Sequence, residues 1–215
     1  MSYPIPEQIK KMKKPDFKFF EVPNVISDDQ CDILIDFHRE HPHLLDWEDK
    51  ALQYNGRKIN FQNIMSDHIR IIMKRLEYIA IGEIKRNTNQ LVFPEQTELM
   101  RWPIGCEQDA HVDIYSDMSD DDPSSFVIPK TEWASIVYLN DNFKGGKTIF
   151  TPCEEIPLGF EFVPKKGSMI LFQGLYFLHA VTKVYRNDRY TVPMWFTNDF
   201  STMRPDYSPP PAQIS

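Results

Sequence analysis

The sequence predicts an α+β fold in which a mostly antiparallel β-barrel or sandwich carries helices on one face. Two segments with helical spacing of apolar residues come first along the chain. From Leu91 onward, short β-branched and aromatic runs alternate with Gly, Pro and Asn, as strands and turns do. Helices followed by strands are typical of α+β proteins. With 215 residues, of which 41% are hydrophobic, the chain is long enough for one domain with a sizeable core.

Two helices are predicted in the first half. The first begins after Ser27, a favoured capping residue, and has Cys31, Leu34, Ile35 and His38 at helical spacing. The second opens at Ser66-Asp67 and is more strongly amphipathic. Its buried stripe is expected to hold Ile69, Ile72, Met73, Leu76, Ile79 and Ala80, and its solvent side Arg70, Lys74, Arg75 and Glu77.

Five strands and two tails complete the predicted organisation. We expect a domain over residues 17–200, with tails at 1–16 and 201–215. The second tail is Pro-rich, and its Pro209–Pro211 run cannot pair inside a sheet. The predicted strands are Glu98–Trp102, Trp133–Leu139, Lys147–Thr151, Ser168–Phe172 and Tyr190–Phe196.

Charge and cysteine content exclude several classes of protein. With 24 Lys and Arg against 31 Asp and Glu, the net charge of −7 disfavours nucleic-acid binding and suits a basic peptide partner. Cys31, Cys106 and Cys153 are too few and too scattered for a disulfide framework. No signal peptide is visible, and no apolar run approaches the ~20 residues that span a membrane. We therefore expect a cytoplasmic protein, and the small size hints at a microbial or viral source.

The first sign of chemistry is the segment His111-Val112-Asp113. In an extended chain, residues two apart point to the same face, so the imidazole and the carboxylate converge. A second His from a distant strand would complete a set of two His and one carboxylate, which suits non-haem Fe(II). Zinc is disfavoured because Cys106 has no partner cysteine nearby. The similar segment His38-Arg39-Glu40 ends a predicted helix, and there we expect a surface or helix-capping histidine.

The second half supplies a context for this segment. Gly145–Phe150 is a glycine turn that leads into a strand, and Pro164–Phe172 is a turn followed by an apolar strand. His179 precedes Arg189 by ten residues, and Asn187-Asp188 marks a hairpin turn between them. Antiparallel pairing would place His179 near the metal and Arg189 deeper. A guanidinium inside a barrel is costly without an anion, which points to a dicarboxylic co-substrate.

The ordered set of these segments resembles the Fe(II)/2-oxoglutarate-dependent oxygenases, specifically the prolyl 4-hydroxylase group. The resemblance covers Phe17 to Asn198 and is strongest from Glu98 onward. Each motif is common alone, but their order is specific. The motifs are His111–Asp113, Tyr138–Asn140, Gly145–Phe150, Lys166–Phe172, His179–Val181 and Arg189–Phe196.

The resemblance implies a fold, a reaction and a set of site residues. The fold would be a double-stranded β-helix, or jelly-roll barrel, with supporting N-terminal helices. The enzyme, an oxidoreductase, would use Fe(II), 2-oxoglutarate and O2 to hydroxylate a proline in a protein or peptide, releasing succinate and CO2. Ascorbate would restore Fe(II). By the same resemblance, His111, Asp113 and His179 would hold the metal, Arg189 and Tyr138 the distal carboxylate of 2-oxoglutarate, and Thr148, Val181 and Trp195 would line the pocket.

Two positions depart from the family pattern. Trp102 stands where many relatives carry Tyr, which makes it a candidate for the substrate side of the site. Pro193 stands where several relatives have Thr, and a local bulge is expected because Pro cannot donate to a sheet ladder. Both departures bear on substrate identity. Free proline, another side chain or a small molecule stay open as substrates, whereas a nucleobase is disfavoured by the acidic balance. A non-catalytic binding module on the same barrel is the alternative from another class.

An acidic run follows the His-x-Asp segment directly. It lies within Ile114–Lys130, a long connection between predicted strands. The run could be a solvated loop, and a calcium loop lacks support because the Gly and terminal Glu of an EF-hand are missing. Our interpretation is a mobile lid on the substrate side that attracts basic peptides. The residues concerned are Asp117, Asp120, Asp121 and Asp122.

If this segment is such a lid, neutralising Asp120, Asp121 and Asp122 to Asn should lower kcat/KM for peptides with Lys or Arg beside the proline. Turnover of 2-oxoglutarate without peptide should hardly change, because the metal ligands and Arg189 are untouched. High salt should have the same effect, since the Debye length falls to about 3 Å at 1 M. Peptide kinetics at two ionic strengths measure this. An unchanged peptide preference and salt response would leave the run a solvated connection.

Overall fold

The computed structural model describes residue 11 and residues 13–47, 54–113 and 131–207, which form two facing sheets, with helices on one of them, and a separate two-stranded sheet. The helices are α1 (Asp28–Glu40) and α2 (Asp67–Thr88), with short 3-10 turns at Pro42–Leu44, Phe61–Asn63 and Phe200–Thr202. The strands are β1 (Phe19–Val22), β2 (Lys58–Asn60), β3 (Phe93–Trp102), β4 (Gln108–His111), β5 (Thr131–Tyr138), β6 (Lys144–Gly145), β7 (Thr148–Phe150), β8 (Phe160–Phe162), β9 (Met169–Phe172), β10 (His179–Val181), β11 (Val184–Arg186) and β12 (Arg189–Thr197).

Both predicted helices are present, and their ends have local causes. The Ser27 side chain accepts a hydrogen bond from the Gln30 backbone N–H, and the Gln30 side chain accepts one from the Ser27 N–H. This reciprocal capping satisfies two of the N–H groups that open α1. Helix α2 ends at Asn89, which adopts the left-handed conformation with φ of 60°.

The larger sheet separates a helix-side core from a second interior. Its strand order is β1-β9-β5-β12-β3-β2. Because side chains alternate along a strand, β12 sends Tyr190, Val192 and Met194 into the core formed with α1 and α2. The opposite face of the same strand carries Arg189 and Trp195. The sheet therefore separates packing residues from the residues expected to carry chemistry.

The second sheet closes this interior from the other side. Its order is β4-β10-β7-β8, and all its pairs are antiparallel. Aromatic residues from both sheets pack together between them, among them Tyr138 and Phe172 from the larger sheet and Phe150 and Phe162 from the smaller one. The predicted antiparallel barrel with helices on one face is confirmed, and it is the double-stranded β-helix that the family resemblance implied.

Each of the five predicted strands corresponds to one observed, with shifted ends. The structure has seven strands beyond those five: β1, β2, β4, β6, β8, β10 and β11. All of these contain two to four residues, too few for an alternating pattern to show in the sequence.

The predicted pairing between the His179 and Arg189 segments is wrong. Asn187 does bend the chain, with φ of 54°, but β10 pairs with β4 and β7 in the smaller sheet. Arg189 begins β12, which pairs with β3 and β5 in the larger sheet. The intervening β11 pairs instead with β6, so the chain crosses between the two sheets after Val181. His179 and Arg189 thus belong to opposite walls of one interior.

Two side chains expected at the surface are buried. Glu77 on α2 bonds the Thr97 hydroxyl and the Arg204 guanidinium, with oxygen–nitrogen distances to Arg204 of 2.6 and 3.0 Å. His38 packs against the larger sheet, and its Nε2 lies 2.9 Å from the carbonyl oxygen of Arg57. Both groups are buried because distant segments supply their partners. The helical spacing of His38 with Cys31, Leu34 and Ile35 agrees with its burial, whereas spacing alone placed Glu77 on the solvent side.

The other local expectations have mixed outcomes. The β12–β3 register runs unchanged past Pro193, and the irregularity lies instead between Trp195 and Phe196, so the bulge expected at the proline is displaced. The segment expected to begin the C-terminal tail packs on the domain as far as it is described, because Arg204 and Tyr207 are buried.

The Glu77–Arg204 pair should be a large local contribution to stability. Their side chains are 0% and 1% exposed, so Glu77→Ala leaves a buried guanidinium with only Asp206 beside it. We expect the free energy of unfolding to fall by about 3–5 kcal/mol, measured by urea denaturation. Arg86→Ala is the control: it removes the exposed pair with Glu83 and should cost less than about 1 kcal/mol. Similar losses in both variants would contradict this account.

Candidate active site

The two histidines of the predicted metal set face each other across one strand pair. His111 ends β4 and is the direct cross-strand partner of His179, which begins β10. Asp113 follows β4 by two residues, and its backbone N–H donates a 2.9 Å hydrogen bond to the carbonyl of Gly174. This bond holds the chain after β4 against the chain after β9, and it places the carboxylate beside both imidazoles.

Backbone carbonyls fix which imidazole nitrogen faces the centre. The Nδ1 of His111 lies 2.9 Å from the carbonyl oxygen of Asp109, and the Nδ1 of His179 lies 3.0 Å from that of Phe177. Since a carbonyl only accepts, each Nδ1 carries a proton, and in the neutral imidazole the lone pair is therefore on Nε2. Carbonyl partners of this kind orient histidines that bind metals.

The three ligand atoms are close enough to share one ion. Oδ1 of Asp113 lies 3.7 Å from Nε2 of His111 and 3.5 Å from Nε2 of His179. Ligand atoms of all three residues lie within 4.8 Å of one another, and no other group of His, Cys, Asp or Glu meets this criterion in the part of the chain that the structure describes. Two imidazoles and one carboxylate form the set that non-haem Fe(II) uses with positions left open.

Electrostatics favour the metal-binding protonation states at two of these residues. Burial, followed by the neighbouring His179, lowers the pKa of His111 to about 4, so this imidazole is neutral at pH 7. Burial raises the pKa of Asp113, but His179 and His111 outweigh burial and hold the pKa below its ordinary value. His179 is the opposite case: burial lowers its pKa, and Asp113 outweighs burial, so the pKa of His179 is raised. The carboxylate thus stabilises a positive charge beside it, whether a proton or a metal ion.

Arg189 is a buried cation with unused donors. Its side chain is 1% exposed, and Nε and Nη2 have no hydrogen-bond partner among the described residues. Its guanidinium carbon lies 5.6 Å from the ring centre of Trp102 and 5.2 Å from that of Tyr138. Burial lowers the pKa of Arg189, with Tyr138 opposing, yet a guanidinium remains charged in proteins. The edge of the guanidinium that carries Nε and Nη2 fits a carboxylate, which accepts two parallel N–H···O hydrogen bonds.

A chain of contacts joins this cation to the His–Asp–His group. The Tyr138 hydroxyl lies 2.8 Å from Oγ1 of Thr148, and Thr148 is the cross-strand partner of Val181. Val181 is two residues beyond His179 on β10, so the two share a face, about 7 Å apart. The residues predicted to bind the co-substrate therefore lie along one interior between the triad and Arg189.

The remaining predicted site residues fall into three places. Trp195 lies next to Asp113 and contributes to its lowered pKa. Trp102, expected on the substrate side, is buried with its ring beside Arg189. Asp117, Asp120, Asp121 and Asp122 lie outside the described residues.

Two residues of the site were missed from the sequence. The Gln108 side-chain nitrogen lies 3.0 Å from Nε2 of His111 and also bonds the Tyr54 hydroxyl. Metal binding at His111 would replace the Gln108 hydrogen bond. Gly174 touches the Asp113 carboxylate. Neither contact could be read from the sequence: residues three apart on a strand point to opposite faces, so spacing does not link Gln108 to His111, and nothing links Gly174 to Asp113.

Comparison with family models and curated proteins agrees with this geometry. Residues 97–197 match the model of the 2OG-Fe(II) oxygenase superfamily. Over 69 residues the chain is 38% identical to prolyl 3-hydroxylase 2 of Rattus norvegicus and 36% identical to that of Homo sapiens. The match covers 32% of this chain and 10% of each relative, so the chain spans only a tenth of the curated proteins it matches.

Solved structures share the fold at low sequence identity. The viral collagen prolyl hydroxylase of Paramecium Bursaria Chlorella virus-1, in its 2OG complex, has a TM-score of 0.60 and 19% identity, with 83% of this chain and 94% of that chain covered. A Pseudomonas putida prolyl-4-hydroxylase gives 0.61 and 13%, covering 83% and 91%. The Trichoplax adhaerens prolyl hydroxylase, in complex with a hypoxia inducible factor peptide, gives 0.63 and 14%, covering 84% and 83%.

None of the described helices is long and apolar enough to cross a membrane.

The family match begins within β3 and ends with β12, and it therefore contains the His–Asp–His group and Arg189. The matched family model names Fe(II) and 2-oxoglutarate, and the His–Asp–His group and the unused guanidinium donors fit those two groups. Residues 97–197 thus match the 2OG-Fe(II) oxygenase superfamily, and the chain has the double-stranded β-helix fold of the solved structures.

Proposed function

We propose that the protein is an Fe(II)- and 2-oxoglutarate-dependent dioxygenase that hydroxylates a proline in a protein or peptide and releases succinate and CO2. The observation that carries the proposal is that one interior holds two groups, each with polar atoms that lack partners among the described residues. A two-His, one-carboxylate set lies at one end, and a buried guanidinium with free donors lies at the other. A metal completes the first group and a dicarboxylate the second.

His111, Asp113 and His179 would hold the metal through the two Nε2 atoms and Oδ1. Bound Fe(II) supplies the activation of O2 in this chemistry, with 2-oxoglutarate as the source of electrons and ascorbate as the reductant that maintains the ferrous state. The chain's part is to orient the ligands: the carbonyls of Asp109 and Phe177 hold the rings in place. The aromatic residues Phe150 and Phe172, which pack beside His179, keep water from that side of the centre.

Arg189 would bind the distal carboxylate of 2-oxoglutarate, with Tyr138 beside it. The Tyr138 hydroxyl and Thr148 already form a hydrogen bond, so they can present a fixed polar edge to the ligand. Val181 and Trp195 would line the path between the carboxylate and the metal. We assign Trp102 to this co-substrate end, because its ring covers the Arg189 guanidinium.

The substrate assignment is supported by the relatives' named activities and by charge. The structural neighbours are named as prolyl hydroxylases, one of them in complex with a peptide. The net charge of −7 fits a basic peptide better than a nucleic acid. A cytoplasmic location belongs to the same proposal, and the free thiols of Cys31, Cys106 and Cys153 support a reducing compartment.

The test is a reaction with a library of proline-containing peptides, Fe(II), 2-oxoglutarate and ascorbate. We expect a mass increase of one oxygen on a prolyl residue, with one succinate formed for each hydroxylation. Oxidation of a different residue, of free proline or of a small molecule would keep the chemistry and replace the substrate. Peptide binding without succinate formation would make the protein a binding module on this barrel.

Removing the carboxylate ligand should abolish turnover without unfolding the protein. Asp113→Ala deletes one of three metal ligands at a site on the edge of the core, so we expect metal affinity to fall by at least about tenfold. Calorimetric titration with Mn(II) measures the affinity, and circular dichroism monitors the fold. Asp109→Ala is the matched control, because Asp109 contributes only its backbone carbonyl to the site. Unchanged Mn(II) affinity in Asp113→Ala would exclude Asp113 as a ligand.

Removing the guanidinium should weaken 2-oxoglutarate binding selectively. A charge-assisted hydrogen bond is worth about 1.5–3 kcal/mol, so Arg189→Ala should raise the apparent 2-oxoglutarate constant by roughly 10- to 150-fold. Tyr138→Phe removes one neutral hydrogen bond worth about 1 kcal/mol and should raise that constant about fivefold. Titration of metal-loaded protein measures both constants. Equal 2-oxoglutarate affinity in the wild type and in Arg189→Ala would remove Arg189 from the pocket.

A further inference from the structure

Gly174 leaves a space that one oxygen of Asp113 fills. Gly174 is buried and lies two residues beyond β9. A β-carbon built on Gly174 would lie 1.9 Å from Oδ2 of Asp113 and 2.9 Å from its Cγ. Neither distance is compatible with a real carbon atom in the position that the carboxylate now takes. Any other residue at position 174 would therefore displace the Asp113 side chain.

The need for glycine here comes from space and not from the backbone. Six glycines of the described chain have positive φ, which favours glycine at those positions, and Gly174 is not one of them. The backbone at Gly174 would accept an alanine without conformational strain. What an alanine would meet is the carboxylate, together with the β-carbon of Ala134 at 3.2 Å.

The two oxygens of Asp113 have different surroundings as a result. Oδ1 faces both imidazoles, at 3.7 and 3.5 Å from the two Nε2 atoms. Oδ2 is buried against Gly174 and has no hydrogen-bond partner among the described residues. A methyl group at position 174 would push Oδ2 away, and because the carboxylate is rigid, Oδ1 would move from its place between the histidines.

We infer that Gly174 is a positioning residue for the metal: its missing side chain sets the orientation of the Asp113 carboxylate so that Oδ1 faces His111 and His179. The inference rests on the proposed function, since it concerns the metal that those three residues would hold. Gly174 acts only through Asp113 and touches neither metal nor substrate. A residue in the segment after β9 therefore influences the metal affinity of a site whose histidines lie on β4 and β10.

The first test compares metal affinity with overall stability in Gly174→Ala. Mn(II) is the probe, because it is divalent and can be titrated in air. We expect its affinity to fall by about 10- to 100-fold, the range found when groups that orient metal ligands are removed. The control is Gly82→Ala, on an exposed face of α2 with nothing within 4 Å of the added carbon, and it should bind Mn(II) like the wild type. Mn(II) affinity in Gly174→Ala within about twofold of the wild type would overturn the inference.

The second test identifies what the added methyl group meets. In metal-free protein, Gly174→Ala should lower the melting temperature when Asp113 is present and change it little in an Asp113→Ala background, where the carboxylate is gone. An equal loss in both backgrounds would mean that Ala134 or the backbone is the obstacle, and the inference would fail.

These two tests separate the inference from the proposed function. Failure of the wild type to bind Mn(II) would overturn the proposed function and the metal part of the inference together. The melting comparison needs no metal, so it decides the contact between Gly174 and the Asp113 carboxylate in either case.

Discussion

A buried guanidinium with unused donors is the constraint on which this structure depends. Arg189 is almost fully buried, and two of its nitrogens have no partner among the described residues. An unpaired buried charge costs several kcal/mol, and the faces of Trp102 and Tyr138 offset only part of that. Arg204 is equally buried, yet Glu77 binds it with two hydrogen bonds. The same fold thus pairs one buried arginine with a carboxylate and leaves two nitrogens of the other unpaired among the described residues.

The opposite end of the interior has the complementary arrangement, with an unpaired acceptor in place of unpaired donors among the described residues. There a carboxylate and two imidazole lone pairs converge, and one oxygen of Asp113 has no partner among the described residues. Such an arrangement is stabilised by a cation. The two sheets make this possible: β12 brings Arg189 from one wall, and β4 with β10 brings the histidines from the other. A dicarboxylate that also binds the metal would join the two ends and neutralise both.

The sequence predicted those parts that depend on local pattern or ordered motifs. Ser27 and Ser66 marked the helix starts, and the His111–Asp113 spacing together with His179 and Arg189 indicated the site. What could not be predicted depends on partners far apart in the chain. Glu77 looked exposed because Arg204 lies 127 residues away, and β10 could not be assigned to β4 because a three-residue strand carries no register signal. Gly174 belongs to the same class, since only the folded chain shows what lies beside it.

The most direct test of the account is the linkage between metal and 2-oxoglutarate. Anaerobic calorimetry would titrate 2-oxoglutarate into the protein with and without Fe(II), and thermal unfolding would be measured on the same samples. We predict one metal ion and one 2-oxoglutarate per chain, with 2-oxoglutarate binding much more tightly to the metal-loaded protein. The unfolding free energy should rise by about 2.7 kcal/mol when the free ligand is a hundredfold above its dissociation constant. A protein whose calorimetric signal and melting temperature do not respond to the two ligands together would contradict the account.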